Sequence, residues 1–214
     1  MKKVFLSIVA IATILTSCKS EPNKKATETK KEVSVAEKVA AVNNVDTTSS
    51  VLNWKGTKPT GSHNGIVSLK NGALVLEQGK LVGGEFIVDM STIKVSDIPA
   101  DNEANGKLVS HLINSDFFDI EAYPTSKFII TSVAPKNNLL LVTGNLTIKD
   151  VTKSITIPAT IATTDGVTTF SSEVLMVNRA EFNVTYASKS FFNNLKDKFI
   201  DDLMEMSFVV KTKS

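Results

Sequence analysis

Hydrophobic and polar residues alternate along most of the chain beyond about residue 50. In "GEFIVDM", the side chains of Phe86, Val88 and Met90 fall on one face of an extended segment, and those of Glu85 and Asp89 fall on the other. A period of two is typical of a β-strand with one buried face. We therefore predict a strand here whose apolar face belongs to a core.

Seven further segments share this pattern and are rich in β-branched and aromatic residues. The predicted strands are "VLNWKGTK", "GIVSLKNGALVL", "KLVGGEFIVDM", "SKFIITSVA", "NLLLVTGNLTI", "KSITIPATIA", "VTTFSSEVLMV" and "LMEMSFVVKT". Turn signals occur at residues 71–72, 83–84, 135–138, 149–150 and 165–166. Many short strands with close turns indicate an all-β antiparallel sandwich or barrel. Closing the sheet on itself buries each apolar face and removes the edges.

Two segments depart from the alternation and have helical spacing. "ADNEANGKLVSHLINSDFF" carries an apolar stripe that includes Leu108 and Leu112, and "SKSFFNNLKDKFI" carries one with Phe192, Leu195 and Phe199. We expect two short helices that lie over the barrel or close one mouth.

The first 17 residues have the order of a bacterial secretion signal: a basic start at Lys2 and Lys3, an apolar run, and small residues before Cys18. The apolar run is shorter than the roughly 20 residues that a spanning helix needs. "LTSC" resembles a lipobox, in which the cysteine is acylated and the peptide bond before it is cleaved. We expect residues 1–17 to be a lipoprotein signal peptide and acylated Cys18, the only cysteine, to hold the protein to a membrane. An uncleaved anchor or a plain secretory signal with an incidental cysteine is the alternative.

Residues 18–48 are rich in Lys, Glu, Thr, Ser and Ala and contain no aromatic residue. Such a segment buries too little apolar surface to order itself, so we predict a flexible tether followed by one domain over residues 49–214. Lys19, rather than an aspartate, follows the cysteine. By analogy with lipoprotein sorting in enterobacteria, this favours delivery to the outer membrane over retention in the inner membrane. The mixed charges after it favour the periplasmic face, with surface exposure as the alternative.

Charge and side-chain chemistry narrow the classes of function. Lys and Arg number 24 against 22 Asp and Glu, and loss of Lys2 and Lys3 with the signal makes the two equal, so nothing favours nucleic acid as a partner. The two histidines, His63 and His111, lie far apart in the sequence, which offers no clustered metal ligands. No nucleophile elbow or phosphate-binding glycine loop is present. We therefore predict a protein that is not an enzyme and has no metal site.

An ordered series of motifs is similar to the YceI-like family of lipocalin-like bacterial proteins that bind polyisoprenoids. The series consists of Trp54, "HNG" at 63–65, "GGEFIVDMSTI" at 83–93, "KLVSHLINSDFFDIEAYPTSKFII" at 107–130, "GNLTIKDVTKSITIP" at 144–158 and "VNRAEF" at 177–182. One departure is Asn183, which follows Phe182 where many relatives have a glycine.

The resemblance implies a lipocalin-like eight-stranded antiparallel β-barrel with a long apolar channel that holds a polyisoprenoid or a similar lipid. No cofactor is implied beyond a bound prenyl lipid or quinone. A homodimer is a possible assembly that the sequence does not decide. The side chains expected on the channel wall are Trp54, His63, Phe86, Val88, Met90, Leu108, Leu112, Phe128, Ile130, Ile157, Phe182 and Phe192. The alternative is a structural barrel whose core is filled by those same residues and whose loops bind a partner protein.

Several of these residues have a structural interpretation beside the functional one. Trp54 is either a core plug or a wall of the channel, and His63 is either an exposed loop residue or a group at the barrel mouth. His111 is expected to orient its helix through a hydrogen bond. Arg179, the only arginine, is expected to pair with a structural acid such as Glu181 or Asp119 rather than with a ligand phosphate.

Overall fold

The computed structural model describes residues 44–213, and the elements below belong to that range. The strands are β1 (Val45–Lys58), β2 (Gly61–Glu77), β3 (Lys80–Val95), β4 (Thr125–Lys136), β5 (Leu139–Ile148), β6 (Val151–Thr164), β7 (Val167–Ser172), β8 (Leu175–Asn178) and β9 (Leu203–Thr212). One α-helix of this range, α1 (Glu103–Ile113), lies between β3 and β4. Two short 3-10 turns, Arg179–Phe182 and Lys196–Lys198, lie between β8 and β9.

The strands form one antiparallel sheet that closes on itself. Each strand pairs with the next from β1 to β7, β7 pairs with β9, and β9 pairs with β1. β8 follows β7 along the same edge of β9, where Leu175 lies opposite Met206. Because β7 and β8 share one position around the sheet, the prediction of an eight-stranded antiparallel barrel is confirmed.

The alternation read from the sequence assigns the faces correctly. Phe86 and Met90 are buried inside the barrel, and so are Phe128 and Ile157 on the strands that follow. The intervening polar residues, such as Thr156, face outward. The core therefore lies inside the barrel, as the period of two predicts.

The barrel domain begins earlier than predicted, because β1 starts at Val45 rather than after residue 48. Val45 is buried and pairs with Thr212. The next residues form a bulge in which the Asp46 carboxylate accepts hydrogen bonds from Thr48 and Ser49, and these bonds lower its pKa to about 2. The Thr and Ser residues after Asp46 resemble a linker in composition. In the structure they donate hydrogen bonds to the Asp46 carboxylate within β1.

Two predicted turns are wrong, and both lie inside strands. Asn71 and Gly72 belong to β2, where the register shifts around Lys70 as an extra residue makes a bulge. Gly84 belongs to β3, where a Cβ would lie 2.8 Å from the Ala73 carbonyl oxygen, so the close strand contact requires glycine. The predicted turns at 149–150 and 165–166 are confirmed, with positive φ at Lys149 and Asp150. The turn predicted at 135–138 is shorter and occupies 137–138, since Pro135 and Lys136 belong to β4.

The first predicted helix is confirmed as α1, whose first turn is capped by the Asn102 side chain accepting from the Ala104 N–H at 2.9 Å. The second predicted helix is wrong, since residues 188–200 contain only the short 3-10 turn. Asn194 and Lys196 have positive φ angles of 64° and 49°, and a right-handed helix cannot pass through them.

The predicted signal peptide (1–17), Cys18 and the tether as far as residue 43 lie outside the described residues. Among the helices within 44–213, none is long and apolar enough to cross a membrane.

Candidate functional site

Two adjoining cavities lie inside the barrel. The upper cavity, of about 130 Å³, lies beneath α1 and is bounded by Trp54, Met90, Leu112, Phe117 and Met204, among others. The lower cavity, of about 90 Å³, is bounded by residues that include Phe86, Phe128, Ile157 and Phe208. Nearly all of the lining side chains are apolar, which suits hydrocarbon.

Five side chains line both cavities, so the two spaces are adjacent along the barrel. They are Leu52, Val88, Leu146, Val177 and Met206, from five different strands. We call this ring the waist. It places the two cavities in line, with only movable side chains between them.

The barrel is filled beyond the lower cavity. Leu74, Val142 and Phe170 are fully buried there. The Phe170 ring packs against those of Phe208 and Phe86, with centroids 4.9 and 6.0 Å apart. This end, which also carries Val45 and Thr212, is closed by side chains, and we call it the filled end.

The opposite end is covered by α1 and by the segment 183–202, which we call the cover loop. The ring of Tyr186 in the cover loop packs edge-on against His111 of α1, with centroids 4.6 Å apart, and lies 5.4 Å from Phe117. Lys149 of the β5–β6 turn donates from Nζ to the Phe117 carbonyl at 2.9 Å. The contacts of Tyr186 therefore hold the cover loop and α1 together over the upper cavity, and Lys149 fixes the segment after α1 to the β5–β6 turn.

Arg179 attaches the cover loop to the barrel. Its guanidinium donates to three backbone carbonyls of the loop: Val184 at 2.7 Å, Ile200 at 2.9 Å and Asp201 at 3.0 Å. It also lies 3.6 Å from the Asp202 carboxylate, and the residue is 1% exposed. The expectation of a structural role fits this geometry, but the acid is Asp202 rather than Glu181 or Asp119.

The charge pair has perturbed protonation equilibria. Burial raises the pKa of Asp202, but hydrogen bonds from Ser188 and Ser190 and the charge of Arg179 outweigh it, so the pKa lies below its ordinary value. Burial lowers the pKa of Arg179, while Asp202 and Asp201 oppose that change. An arginine stays protonated at neutral pH, so both groups are charged.

Seven of the twelve predicted channel residues line a cavity. They are Trp54, Phe86, Val88, Met90, Leu112, Phe128 and Ile157. Ile130 and Phe182 are buried in the core but border neither cavity. Leu108, on α1, is half-buried against the core and also borders neither.

His63 and Phe192 require correction. His63 lies on the outer rim near the β1–β2 turn, where its Nδ1 is 2.8 Å from Asp97 Oδ2. Burial raises the pKa of Asp97, but hydrogen bonds from the Asn64 N–H and from His63 bring it below its ordinary value. Phe192 is 50% exposed, because the segment predicted as a helix turns outward instead.

Sequence reasoning missed most of the waist as a functional feature. Leu52 lies two residues before Trp54 on the same face of β1, so the alternation could have identified it. The sequence pattern did not indicate that Val177 points inward. The run "VTTFSSEVLMV" breaks into two strands at Glu173 and Val174, which shifts the alternation.

Polar groups near the upper cavity are few. The Trp54 Nε1 is buried and has no hydrogen-bond partner within the described structure. Across residues 44–213, no three His, Cys, Asp or Glu side chains lie close enough together to hold a metal ion. The arrangement is that of an apolar binding space with one unpaired donor in its wall.

Comparison with known sequences identifies relatives. A profile of the YceI-like domain matches residues 43–212. A UPF0312 protein of Shewanella denitrificans is 33% identical over 90 residues, covering 42% of this chain and 44% of that protein. A UPF0312 protein of Photorhabdus laumondii is 35% identical over 68 residues, covering 32% of this chain and 34% of that protein. The matched stretches span less than half the length of these relatives.

Comparison with solved structures identifies the same barrel. Burkholderia cenocepacia BcnA superposes with a TM-score of 0.63 at 20% identity, covering 79% of this chain and 99% of that chain. A polyisoprenoid binding domain from Saccharophagus degradans, implicated in plant cell wall breakdown, gives a TM-score of 0.62 at 13% identity, covering 81% of this chain and 99% of that chain. At these identities the likeness concerns the fold.

Proposed function

The chain belongs to the YceI-like family, and we propose that its barrel binds the hydrocarbon chain of a polyisoprenoid or a similar long apolar lipid. The observation that carries this proposal is the pair of adjacent apolar cavities joined at the waist. Burial of each methylene group in such a space contributes about 0.8 kcal/mol and makes few directional demands. The family relationship and the structural likeness to a polyisoprenoid binding domain support the same ligand class.

The size of the cavities determines how binding would occur. Their volumes, about 90 and 130 Å³, are together smaller than the ~300–1,000 Å³ of typical ligand pockets. A long chain would therefore displace side chains at the waist and above it. Met90, Met204 and Met206 line the upper cavity, and methionine adapts readily because it is unbranched and has three rotatable bonds.

The upper cavity is the better place for a polar head group. Trp54 offers an unpaired buried N–H, and a carbonyl or hydroxyl oxygen on the lipid would satisfy it. The lower cavity is lined almost wholly by apolar side chains, so the hydrocarbon chain would point towards it.

We also propose that the protein is a lipoprotein, acylated at Cys18 and attached to the outer membrane on its periplasmic face. The composition of residues 1–48 supports this proposal. In this position the barrel would hold or carry a lipid near the bilayer by passive partition, without catalysis.

The test uses the full chain with Cys18→Ser, purified without detergent, extracted with solvent and examined by mass spectrometry for a stoichiometric prenyl lipid. Leu146→Trp fills the waist, and we expect it to lower the bound lipid at least roughly tenfold, since overpacking a core is unfavourable. Asn145→Trp, the matched control, places the same side chain on the outer face of β5 and should leave the lipid unchanged. Absence of lipid from the unsubstituted barrel, together with failure to take up added quinone, would instead favour a filled barrel that binds a partner protein.

A further inference from the structure

The barrel wall is incomplete between β6 and β8. β6 pairs with β7 only over residues 159–164, and β8 pairs only with β9. Within 44–213, no hydrogen bond joins β6 to β8, and the last link on that side runs from the Glu173 N–H to the Pro158 carbonyl at 3.0 Å. We call the gap between residues 151–157 of β6 and β8 the seam.

The backbone of β6 presents an unpaired edge to the seam. In an antiparallel ladder, alternate residues direct their N–H and C=O groups to opposite neighbours. Pro158 accepts from the β7 side, so Thr152, Ser154 and Thr156 direct their groups the same way, where β8 does not reach them. Unpaired groups of this kind need water, which means that the seam is open to solvent.

The side chains along the seam agree with an opening. Lys153 alternates with Ile155 and Ile157, which places it on the inward phase of β6, yet its side chain is 46% exposed. Its Nζ lies 3.9 Å from the Glu181 carboxylate, at the upper end of the seam. A lysine can occupy an inward position here because the wall beside it is missing.

The seam leads directly into the lower cavity. Ile155 and Ile157 line this cavity from β6, and Leu175 and Val177 line it from β8. On the outer surface beside the seam, Val174 is 62% exposed and Met176 is 54% exposed. An apolar path therefore runs from an exposed apolar surface, between two strands, to the interior.

From this geometry we infer that the seam is a lateral opening through which the hydrocarbon chain of an amphipathic lipid enters and leaves the barrel. The inference rests on the proposed lipid-binding function and adds the route. A strand from another protein fits this edge less well, because β8 has four residues and Pro158 lacks a donor. Entry at the covered end would require release of the cover loop, which Arg179 holds by three hydrogen bonds.

The test closes the seam with a removable bridge. The full chain with Cys18→Ser receives Thr156→Cys and Met176→Cys, two exposed positions on either side of the seam, joined by a cleavable bis-maleimide linker. The matched control joins Thr143→Cys to Thr156→Cys, which lie opposite each other in the paired β5–β6 ladder. The probe is menaquinone-4 in phosphatidylcholine vesicles, and its uptake is followed by quenching of Trp54, the only tryptophan.

We expect the seam bridge to slow uptake at least roughly tenfold, with recovery when the linker is cleaved, since closing a gate limits the rate. The control bridge should change the rate less than about twofold. An unchanged rate in the seam-bridged protein would overturn the lateral route while leaving the lipid-binding proposal intact. If neither unbridged protein takes up the quinone and neither carries lipid after purification, both proposals fail.

Discussion

Arg179 shows how a single side chain can organise a loop that lacks regular structure. The cover loop carries few backbone hydrogen bonds of its own, and three of its carbonyls depend on this one guanidinium. The fixed fork of donors in arginine suits several acceptors at once, and lysine could not replace it. The charge is balanced by Asp202, whose Oδ1 has no hydrogen bond and relies on the ion pair.

The charge of Asp202 can be tested by pH. Because the pKa of Asp202 in the folded protein lies below the value of about 3.9 in unfolded chains, its stabilisation is present above that pH and is lost as the pH falls through the folded pKa. We expect Asp202→Asn to lower the free energy of unfolding by about 1–3 kcal/mol at pH 7. The difference from the unsubstituted protein should shrink below pH ~4.

Urea unfolding at pH 7, 5 and 3 would measure both effects. Asp197→Asn, an exposed carboxylate on the same loop, is the control and should change little at any of these pH values. A penalty for Asp202→Asn that is the same at pH 3 as at pH 7 would mean that shape, rather than charge, is what Asp202 contributes.

Among the strands, close contacts inside the barrel depend on glycine. Gly144 lies opposite Ile130 on β4 and Ile155 on β6. A Cβ there would lie 2.6 Å from the Ile129 carbonyl oxygen and would collide with the Phe128 ring. The glycine allows the Phe128 ring to lie across β5, where Phe128 also lines the lower cavity.

Gly144→Ala should therefore destabilise the barrel. We expect a loss of about 1–3 kcal/mol from overpacking, which lowers the melting temperature by roughly 3–10 °C in a domain of this size. Thermal unfolding followed by circular dichroism would measure it.

Gly106→Ala is the matched control. Gly106 lies on exposed α1 with no atom within 4 Å of a new Cβ, so alanine should stabilise the helix by about 0.5–1 kcal/mol. If both substitutions stabilise the protein, the contact between residue 144 and the Phe128 ring does not require a glycine.

At the scale of the whole molecule, the two ends of the barrel differ. The filled end carries Val45, where the segment from Cys18 joins the barrel, and the cover loop lies at the other end. A chain of 26 residues, from 19 to 44, reaches at most about 85–95 Å. β1 extends over 14 residues, or about 46 Å. A protein held at Cys18 could therefore turn either end, or the seam, towards the bilayer.

If the protein is attached to a membrane through Cys18, loss of that cysteine should release it into the soluble fraction. Cys18→Ser should move the protein from the membrane pellet to the soluble fraction and abolish labelling by an alkyne fatty acid, because stable anchoring requires the acyl chains. Ser20→Ala, two residues further on, should alter neither result. A wild-type protein that is already soluble and unlabelled would support the plain secretory signal instead.

Much of the fold was predictable because alternation is a local property. The faces of β3, β4 and β6 follow from a period of two, and α1 follows from its cap and its stripe at Leu108 and Leu112. The turns at residues 71–72 and 83–84 were wrong because a glycine that allows close strand contact looks the same in sequence as a glycine in a turn. The cover loop was mistaken for a helix because its apolar spacing is helical while its backbone is held by Arg179 and by residues with positive φ.

The sequence by itself determined the class of the fold, the inward side of most strands and the family resemblance, since these depend on neighbours in the chain. Only the tertiary structure decided which inward residues border a space and which fill it: Ile130 and Ile157 are equivalent in pattern, yet only Ile157 lines a cavity. It also decided that Asp202 pairs with Arg179, and that the wall is missing beside β8. Cavities, ion pairs between distant segments and gaps between strands all depend on which parts of the chain meet across the barrel, and a period along one strand carries no information about that.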